Sequence, residues 1–413
     1  MTDTMFAARR DGPVHTGERS GVTAAAGFRA AGVSAGIKPA NGLDLALIVS
    51  DTPAQAAAVF TTNRAQAAPI LVSREHLKQS GSVASAIVVN SGCANACTGD
   101  AGLMAAREMA AETARLLHCP VDQVLVASTG VIGVALPIDK IRAGIPDAVR
   151  ALAAGQGSAA ARAIMTTDPF PKEASTRLRI GTRDIAIGGT AKGSGMIEPM
   201  LATMLAFVTT DAAVPAPLLD RAVREAVADS FNAITVDGEC STNDCLMVLA
   251  NGTSGAVVEP STYTAFLDGL RDVCRELALG IVRGGEGATK LVKVTVTGAA
   301  SAEEARRAAK AIANSPLVKT AIHGSDPNWG RLIAVAGRAG VAFELNRAAV
   351  SIGSIVLFKD GRPYDEAAVQ AAACLAGKDV DVSVHLGAGA ASSTVWTCDL
   401  SAEYVRINAD YRT

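Results

Sequence analysis

A glycine-dense run that carries a single cation and leads, across a proline, into a long apolar stretch constrains this chain more than any other feature. Residues 188–212 read GGTAKGSGMIEPMLATMLAFVTTDA. Gly193 and Gly195, flanking Ser194 beside Lys192, permit positive φ and a close approach of backbone to a neighbour. The apolar run after Pro199 reads as a buried strand, with Ala202 and Thr203 at its start. Taken locally, Thr203 is an ordinary β-branched strand residue.

Composition narrows what surrounds this stretch. The chain has 413 residues, 49% of them apolar and 19% charged. That is enough for two or three packed layers around a large core, as in an α/β enzyme. A net charge of −2 leaves no cation excess for a nucleic-acid or membrane-surface role. No apolar run reaches the roughly 20 residues a membrane-spanning helix needs. Eight cysteines and five histidines show no C-x-x-C pair and no zinc-ligand spacing, so the expectation is buried free thiols and no metal. Residues 1–20 are polar, lack a secretory apolar core, and read as a mobile N-terminus of a cytoplasmic protein.

Along the chain, residues 43–50 and 69–73 read as strands. Residues 86–99 (AIVVNSGCANACTG) form a strand running into a small-residue loop. Asp100 reads as the cap of a helix with Leu103, Ala106, Ala110 and Leu117 on its apolar face. The strand at 124–128 ends in Thr129-Gly130, a hydroxyl donor followed by a side-chain-free backbone N–H, which is what an oxyanion requires. Residues 153–160 read as a loop or helix start. A helical stripe covers 218–227, a strand 246–250 and a helix 262–282. A boundary near 290 separates a smaller α/β unit with strands at 291–297, 350–358, 380–385 and 395–400 and a helix at 365–375. Ser301 to Glu304 form a capping box. Asp237 and Asp244 read as loop-holding groups, and His323 as a structural hydrogen-bonding residue.

Six segments carry a resemblance in the same order as in a known family: GVTAAAGF (21–28), TGVIG (129–133), IMTTDPFPK (164–172), KGSGMIEPMLATML (192–205), FNAITVDGECSTND (231–244) and RGGEGATK (283–290). NSPLVKTAIHGSDPNWGR (314–331) and YVRINADYRT (404–413) extend it to the C-terminus. Together they resemble the ornithine acetyltransferase (glutamate N-acetyltransferase) family. Pro169 stands where the family has threonine, and Arg412 where serine is commoner.

The resemblance implies a self-cleaving layered α/β fold, with a mobile segment 1–20, a catalytic unit 21–290 and a smaller unit 291–413. It implies a cut between Ala202 and Thr203 into an α chain (1–202) and a β chain (203–413), two of each forming a heterotetramer. Thr203 would be the nucleophile, with Thr129 and Gly130 as the oxyanion hole. Thr166, Lys192, Glu286, Asn408 and Thr413 would bind substrate. The implied reaction moves acetyl from N2-acetyl-L-ornithine to L-glutamate, releasing ornithine, in cyclic arginine biosynthesis, without a cofactor. Whether acetyl-CoA also donates acetyl is left open, since no nucleotide-binding motif marks it. A self-cleaving aminopeptidase or amidase of the related fold is the enzymatic alternative; a non-catalytic binding relative is the other.

Overall fold

The computed structural model describes residues 19–38, 42–198 and 204–410. Among them, eight strands form one sheet: β1 (Phe28–Val33), β2 (Leu45–Phe60), β3 (Val83–Cys93), β4 (Val124–Val131), β5 (Lys172–Ile180), β6 (Arg183–Lys192), β7 (Leu205–Thr210) and β8 (Cys245–Ala250). Their order is β4-β3-β2-β8-β7-β6-β5, with β1 paired to β2. The pairs β3–β4 and β7–β8 are parallel. Six helices flank the sheet: α1 (Ala68–Gln79), α2 (Gly99–Leu117), α3 (Ile138–Arg150), α4 (Gly157–Ala163), α5 (Ala216–Ala228) and α6 (Tyr263–Arg283).

The layers follow from the period of two along each strand. Ala206 and Val208 of β7, with Leu246 and Val248 of β8, join the apolar stripes of α5 and α6. Leu205 and Phe207, with Cys245, Met247 and Leu249, face the opposite layer, which includes residues of β1, α1 and α4. All six residues of β7 are therefore buried, and its first four, Leu205 to Val208, are apolar without interruption. The residues that precede it, 199–203, lie outside the described part; Ala202 and Thr203 are among them.

A second sheet begins at Leu291. Its elements are β9 (Leu291–Ala299), α7 (Ala302–Ala313), α8 (Pro316–His323), α9 (Trp329–Arg338), β10 (Ala349–Ile352), β11 (Ile355–Lys359), β12 (Arg362–Pro363), α10 (Ala368–Leu375), β13 (Asp379–His385), β14 (Ala391–Cys398) and α11 (Ala402–Asp410). The strand order is β12-β11-β10-β13-β9-β14. Val292, Val294 and Val296 pack on Ala305, Ala308 and Ile312 of α7. The two sheets are tied where Thr235 N–H donates to Trp396 O at 2.9 Å; within the second unit, the buried Lys319 ammonium donates to Thr397 Oγ1 at 2.8 Å, holding α8 to β14.

Several local expectations are corrected. Residues 69–73 open α1 rather than forming a strand: Pro69 sits in its first turn, where a missing N–H costs nothing, and the helix continues through Gln79. The strand expected at 43–50 runs on to Phe60, past a register shift between Val49 and Ala54. Residues 350–358 split into a hairpin because Gly353 turns at φ +57°. Thr98, not Asp100, precedes α2, and Asp100 lies in its first turn, where a carboxylate suits the helix dipole. None of the eight cysteines forms a disulfide, but Cys97 and Cys374 are exposed. Of residues 1–20, Arg19 and Ser20 are described: Ser20 precedes a short 3₁₀ turn and Arg19 donates to Ala25 O at 2.9 Å. No described helix is long and apolar enough to cross a membrane.

One glycine shows how tightly the layers meet. A Cβ on Gly188 of β6 would lie 2.1 Å from the Gly21 carbonyl oxygen. Gly188→Ala should cost about 1–3 kcal/mol in urea denaturation, as overpacking against an immovable backbone does. Gly337→Ala, on an exposed turn of α9 with nothing within 4 Å, should be neutral or stabilising by up to about 1 kcal/mol.

Candidate active site

The ends of the parallel pairs converge on one cavity, lined among others by Thr129, Gly130, Thr166, Lys192, Glu286 and Asn408. Met204, the residue after Thr203, lines it as well. Thr203 itself, Ala202 and Thr413 lie outside the described residues.

Thr129 and Gly130 end β4, held against the end of β3. Gly130 has φ +128°, and a Cβ there would sit 2.4 Å from the Gly92 carbonyl carbon. Only glycine fits, which leaves the Gly130 N–H approachable. The Lys192 ammonium donates to Thr129 Oγ1 at 3.1 Å. A hydroxyl that accepts from a cation keeps its own proton to donate elsewhere. The pair is thus a polarised O–H next to a bare backbone amide, the composition an oxyanion calls for. Asn243 anchors both loops by donating from Nδ2 to Ala94 O at 2.6 Å and Ser128 O at 2.9 Å.

The loop after β6 is fixed by Asp168, which the sequence reading passed over. Its Oδ1 accepts from the Lys172 ammonium and from Gly193 N–H at 2.7 Å, and its Oδ2 from Thr166 N–H at 3.0 Å. Both side chains of the pair are buried, 0% and 2% exposed. Burial alone would raise the Asp168 carboxyl; the charges of Lys172 and Lys192, with the Lys172 and Gly193 hydrogen bonds, outweigh it and hold it at about 2. Thr167 and Ser194 hydroxyls meet at 2.6 Å, closing the same loop.

The two glycines beside Lys192 do different work. Gly193 takes φ +146°. Gly195 does not need positive φ; a Cβ on it would lie 2.4 Å from Glu286 Oε2. Glu286 is accordingly buried, 6% exposed, rather than presented on an open loop, with its edge on the cavity. Its N–H donates to Ser194 O at 2.8 Å, and its Oε2 accepts from Asn408 Nδ2 at 2.8 Å. Asp237 also reaches this loop, accepting from Met196 N–H at 2.7 Å, Ile197 N–H at 2.8 Å and the Tyr404 hydroxyl at 3.2 Å. It holds loops, as expected of it. Met196 takes φ +58°, which strains a residue with a side chain. His323 stays outside the cavity, its Nδ1 2.6 Å from Asp399 Oδ2.

With this geometry in place, comparison with known proteins is informative. The sequence model of the ArgJ family matches residues 29–413. This chain belongs to the ArgJ family. It is 50% identical over 401 residues to the arginine biosynthesis bifunctional protein ArgJ of Symbiobacterium thermophilum, covering 95% of this chain and 98% of that one. Against the ArgJ of Gloeobacter violaceus it is 50% identical over 400 residues, with the same coverage of 95% and 98%. A crystal structure of ArgJ from Bacillus halodurans aligns with TM-score 0.49 at 43% identity, over 51% of this chain and 100% of that one.

Within the family frame, the residue the sequence reading missed is Asp168. Its signal was the DPFPK spacing, which places Lys172 four residues on, but only the fold reveals that both are buried. Asp168→Asn leaves the Lys172 ammonium buried and unpaired, and should destabilise the protein by about 3–5 kcal/mol in urea denaturation at neutral pH. Because the folded carboxyl is depressed from 3.8 to about 2, its contribution is present in full above the ordinary value and is lost as pH falls through that window. The acid limb of stability should therefore be shallower in the variant than in the wild type.

Proposed function

We propose that this chain cuts itself between Ala202 and Thr203 and then transfers acetyl from N2-acetyl-L-ornithine to L-glutamate through an acetyl-Thr203 ester. The protein is an acyltransferase of arginine biosynthesis. The observation that supports the residue-level reading is the gathering of Thr129, Gly130, Thr166, Lys192, Glu286 and Asn408 on one cavity at the start of β7, directly after Thr203 in the chain.

On this reading the cut gives Thr203 a free α-amine, whose ordinary pKa of about 7.7–8.0 leaves a useful neutral fraction. The amine takes the Thr203 hydroxyl proton as the oxygen attacks the acetyl carbonyl. Negative charge builds on the carbonyl oxygen, facing the Thr129 O–H and Gly130 N–H. The proton passes to the departing nitrogen, ornithine leaves, and the glutamate amine attacks the ester in reverse order. Lys192, with one N–H on Thr129, has two left for the α-carboxylate common to both substrates. Glu286 takes the ammonium of ornithine, with Thr166 and Asn408 at its sides and Thr413 as the remaining substrate contact. One cavity serving both half-reactions makes the kinetics ping-pong. Acetyl-CoA is proposed as a second acetyl donor to the same ester. The α and β chains stay together as a cytoplasmic heterotetramer.

The experiment is Thr203→Ala: a single band on a denaturing gel and no transfer are expected. An uncut variant that still makes N-acetylglutamate would overturn the reading, as would a wild type that releases only acetate from N-acetylornithine. Glu286→Gln should raise KM for N-acetylornithine about 10- to 100-fold, the loss expected for one charged hydrogen bond, in steady-state assays of ornithine release.

A further inference from the structure

Among the described residues, four acidic side chains line the cavity against the single cation Lys192. Three of the four are buried or committed. Asp237 accepts at Oδ1 from Ile197 N–H and at Oδ2 from Met196 N–H and the Tyr404 hydroxyl. Glu286 is buried and accepts from Asn408. Asp244 is buried at the head of β8. Glu239 differs. It lines the same cavity but is exposed, which puts it at the rim.

Its backbone is tied down while its charge is not. The Glu239 N–H donates to Asp237 Oδ1 at 3.3 Å, so the residue is carried by the loop that holds the acidic end of the cavity together. The carboxylate has no hydrogen-bond or ion-pair partner among the described residues. Its charge nonetheless reaches into the cavity, since the Tyr404 phenol feels it along with those of Asp237 and Glu286. A carboxylate left in water pays no desolvation cost and keeps all its acceptor sites for whatever arrives. An exposed glutamate elsewhere on the surface would be no more than a solvated group; this one stands at the end of the cavity away from the Lys192–Thr129 corner.

We propose that Glu239 selects the side-chain charge of the amino acid that enters, favouring the cationic side chain of the acetyl donor and opposing acids. The inference rests on the transferase reading above. With its α-carboxylate on Lys192, a substrate directs its side chain toward the acidic end. An ammonium there has three N–H donors, and Glu286 has already given one acceptor site to Asn408. A second carboxylate at the rim supplies the acceptors that are missing. Glutamate, seated the same way, brings its own carboxylate up to Glu239, and like charges repel. One residue therefore acts on the two half-reactions with opposite sign, strengthening donor binding and weakening acceptor binding.

The test is steady-state kinetics of Glu239→Gln and Glu239→Lys in the full-length protein, with urea denaturation to confirm that both fold. In Glu239→Gln, KM for N-acetylornithine should rise about 2- to 5-fold, the scale of one exposed ion pair. In Glu239→Lys the change of charge doubles, so the rise should be about 4- to 25-fold. KM for glutamate should fall in both. The differences should shrink toward none in about 1 M salt, where the screening length is about 3 Å. N-acetylnorvaline, which has the ornithine carbon chain without its ammonium, should inhibit wild type and Glu239→Gln equally. Two KM values that stay put, or that move in the same direction, overturn the proposal and leave the transferase reading intact. A wild type that makes no N-acetylglutamate from N-acetylornithine overturns the transferase reading itself. Should Glu239→Lys fail to fold, Glu239→Gln and its salt dependence decide by the same criteria.

Discussion

The site depends on two opposite charges taken out of water together. Asp168 and Lys172 are both buried, and such a pair contributes little net stability against an apolar alternative; removing one partner is what costs. Its effect is positional. The same carboxylate takes the N–H of Gly193 at the end of β6 and of Thr166 at the head of its own loop. One group therefore sets the spacing between the loop carrying Thr166 and the loop carrying Lys192. Lys192 in turn reaches Thr129 across the cavity, so the oxyanion corner inherits its geometry from a pair that never faces the cavity with a free charge.

The opposite wall is built differently. Helix α11 has no buried residue and reaches the cavity through polar contacts, Tyr404 to Asp237 and Asn408 to Glu286, while Ser401, just before it, donates from Oγ to Gly287 O at 2.6 Å. Elements with few buried apolar contacts occupy the low end of local stability. The cavity thus has one rigid side, made of strand ends locked by buried groups, and one side held by exchangeable hydrogen bonds. That division suits a site through which one amino acid leaves and another enters by the same door.

Much of the architecture could be read from local pattern, because period-two apolar strands and helical stripes are local signals. The strand at β7, the helix stripe of α5 and the Thr129-Gly130 strand end are of this kind. Where local pattern misled, two structures share one signature: Pro69-Ile-Leu-Val suits a strand by propensity, yet a proline in the first turn suits a helix equally, and packing on α2 and β4 decides. The hairpin at Gly353 was hidden by apolar residues on both arms. At the site, residue identities were legible but their partners were not. Nothing near Gly195 announces Glu286, ninety-one residues on in the chain, and nothing near Asp244 announces that one of its oxygens has no partner among the described residues while Asp237, seven residues earlier, has several. Contacts between segments distant in sequence are the information a linear pattern omits.

The distribution of charge carries the argument one step further. Lys192 is the one cation among the described residues lining the cavity, and it lies at the Thr129 corner. Asp237, Glu239 and Glu286 gather at the other end around Tyr404, whose phenol is pushed up by burial and by those three carboxylates. A substrate with an anionic head and a cationic tail matches this polarity, as acetylornithine does on the proposed reading. Glutamate shares the head but brings a carboxylate to the acidic end, where like charges repel. Something there must supply a donor. Asn408 is exposed, divides its Nδ2 between Glu286 and the Tyr404 carbonyl, and sits on a helix that has no buried residue. A shift of α11 that turns this amide from Glu286 toward the incoming carboxylate would exchange one hydrogen bond for another. On the proposed reading, that exchange would let a single fixed cation serve two acids of opposite side-chain charge.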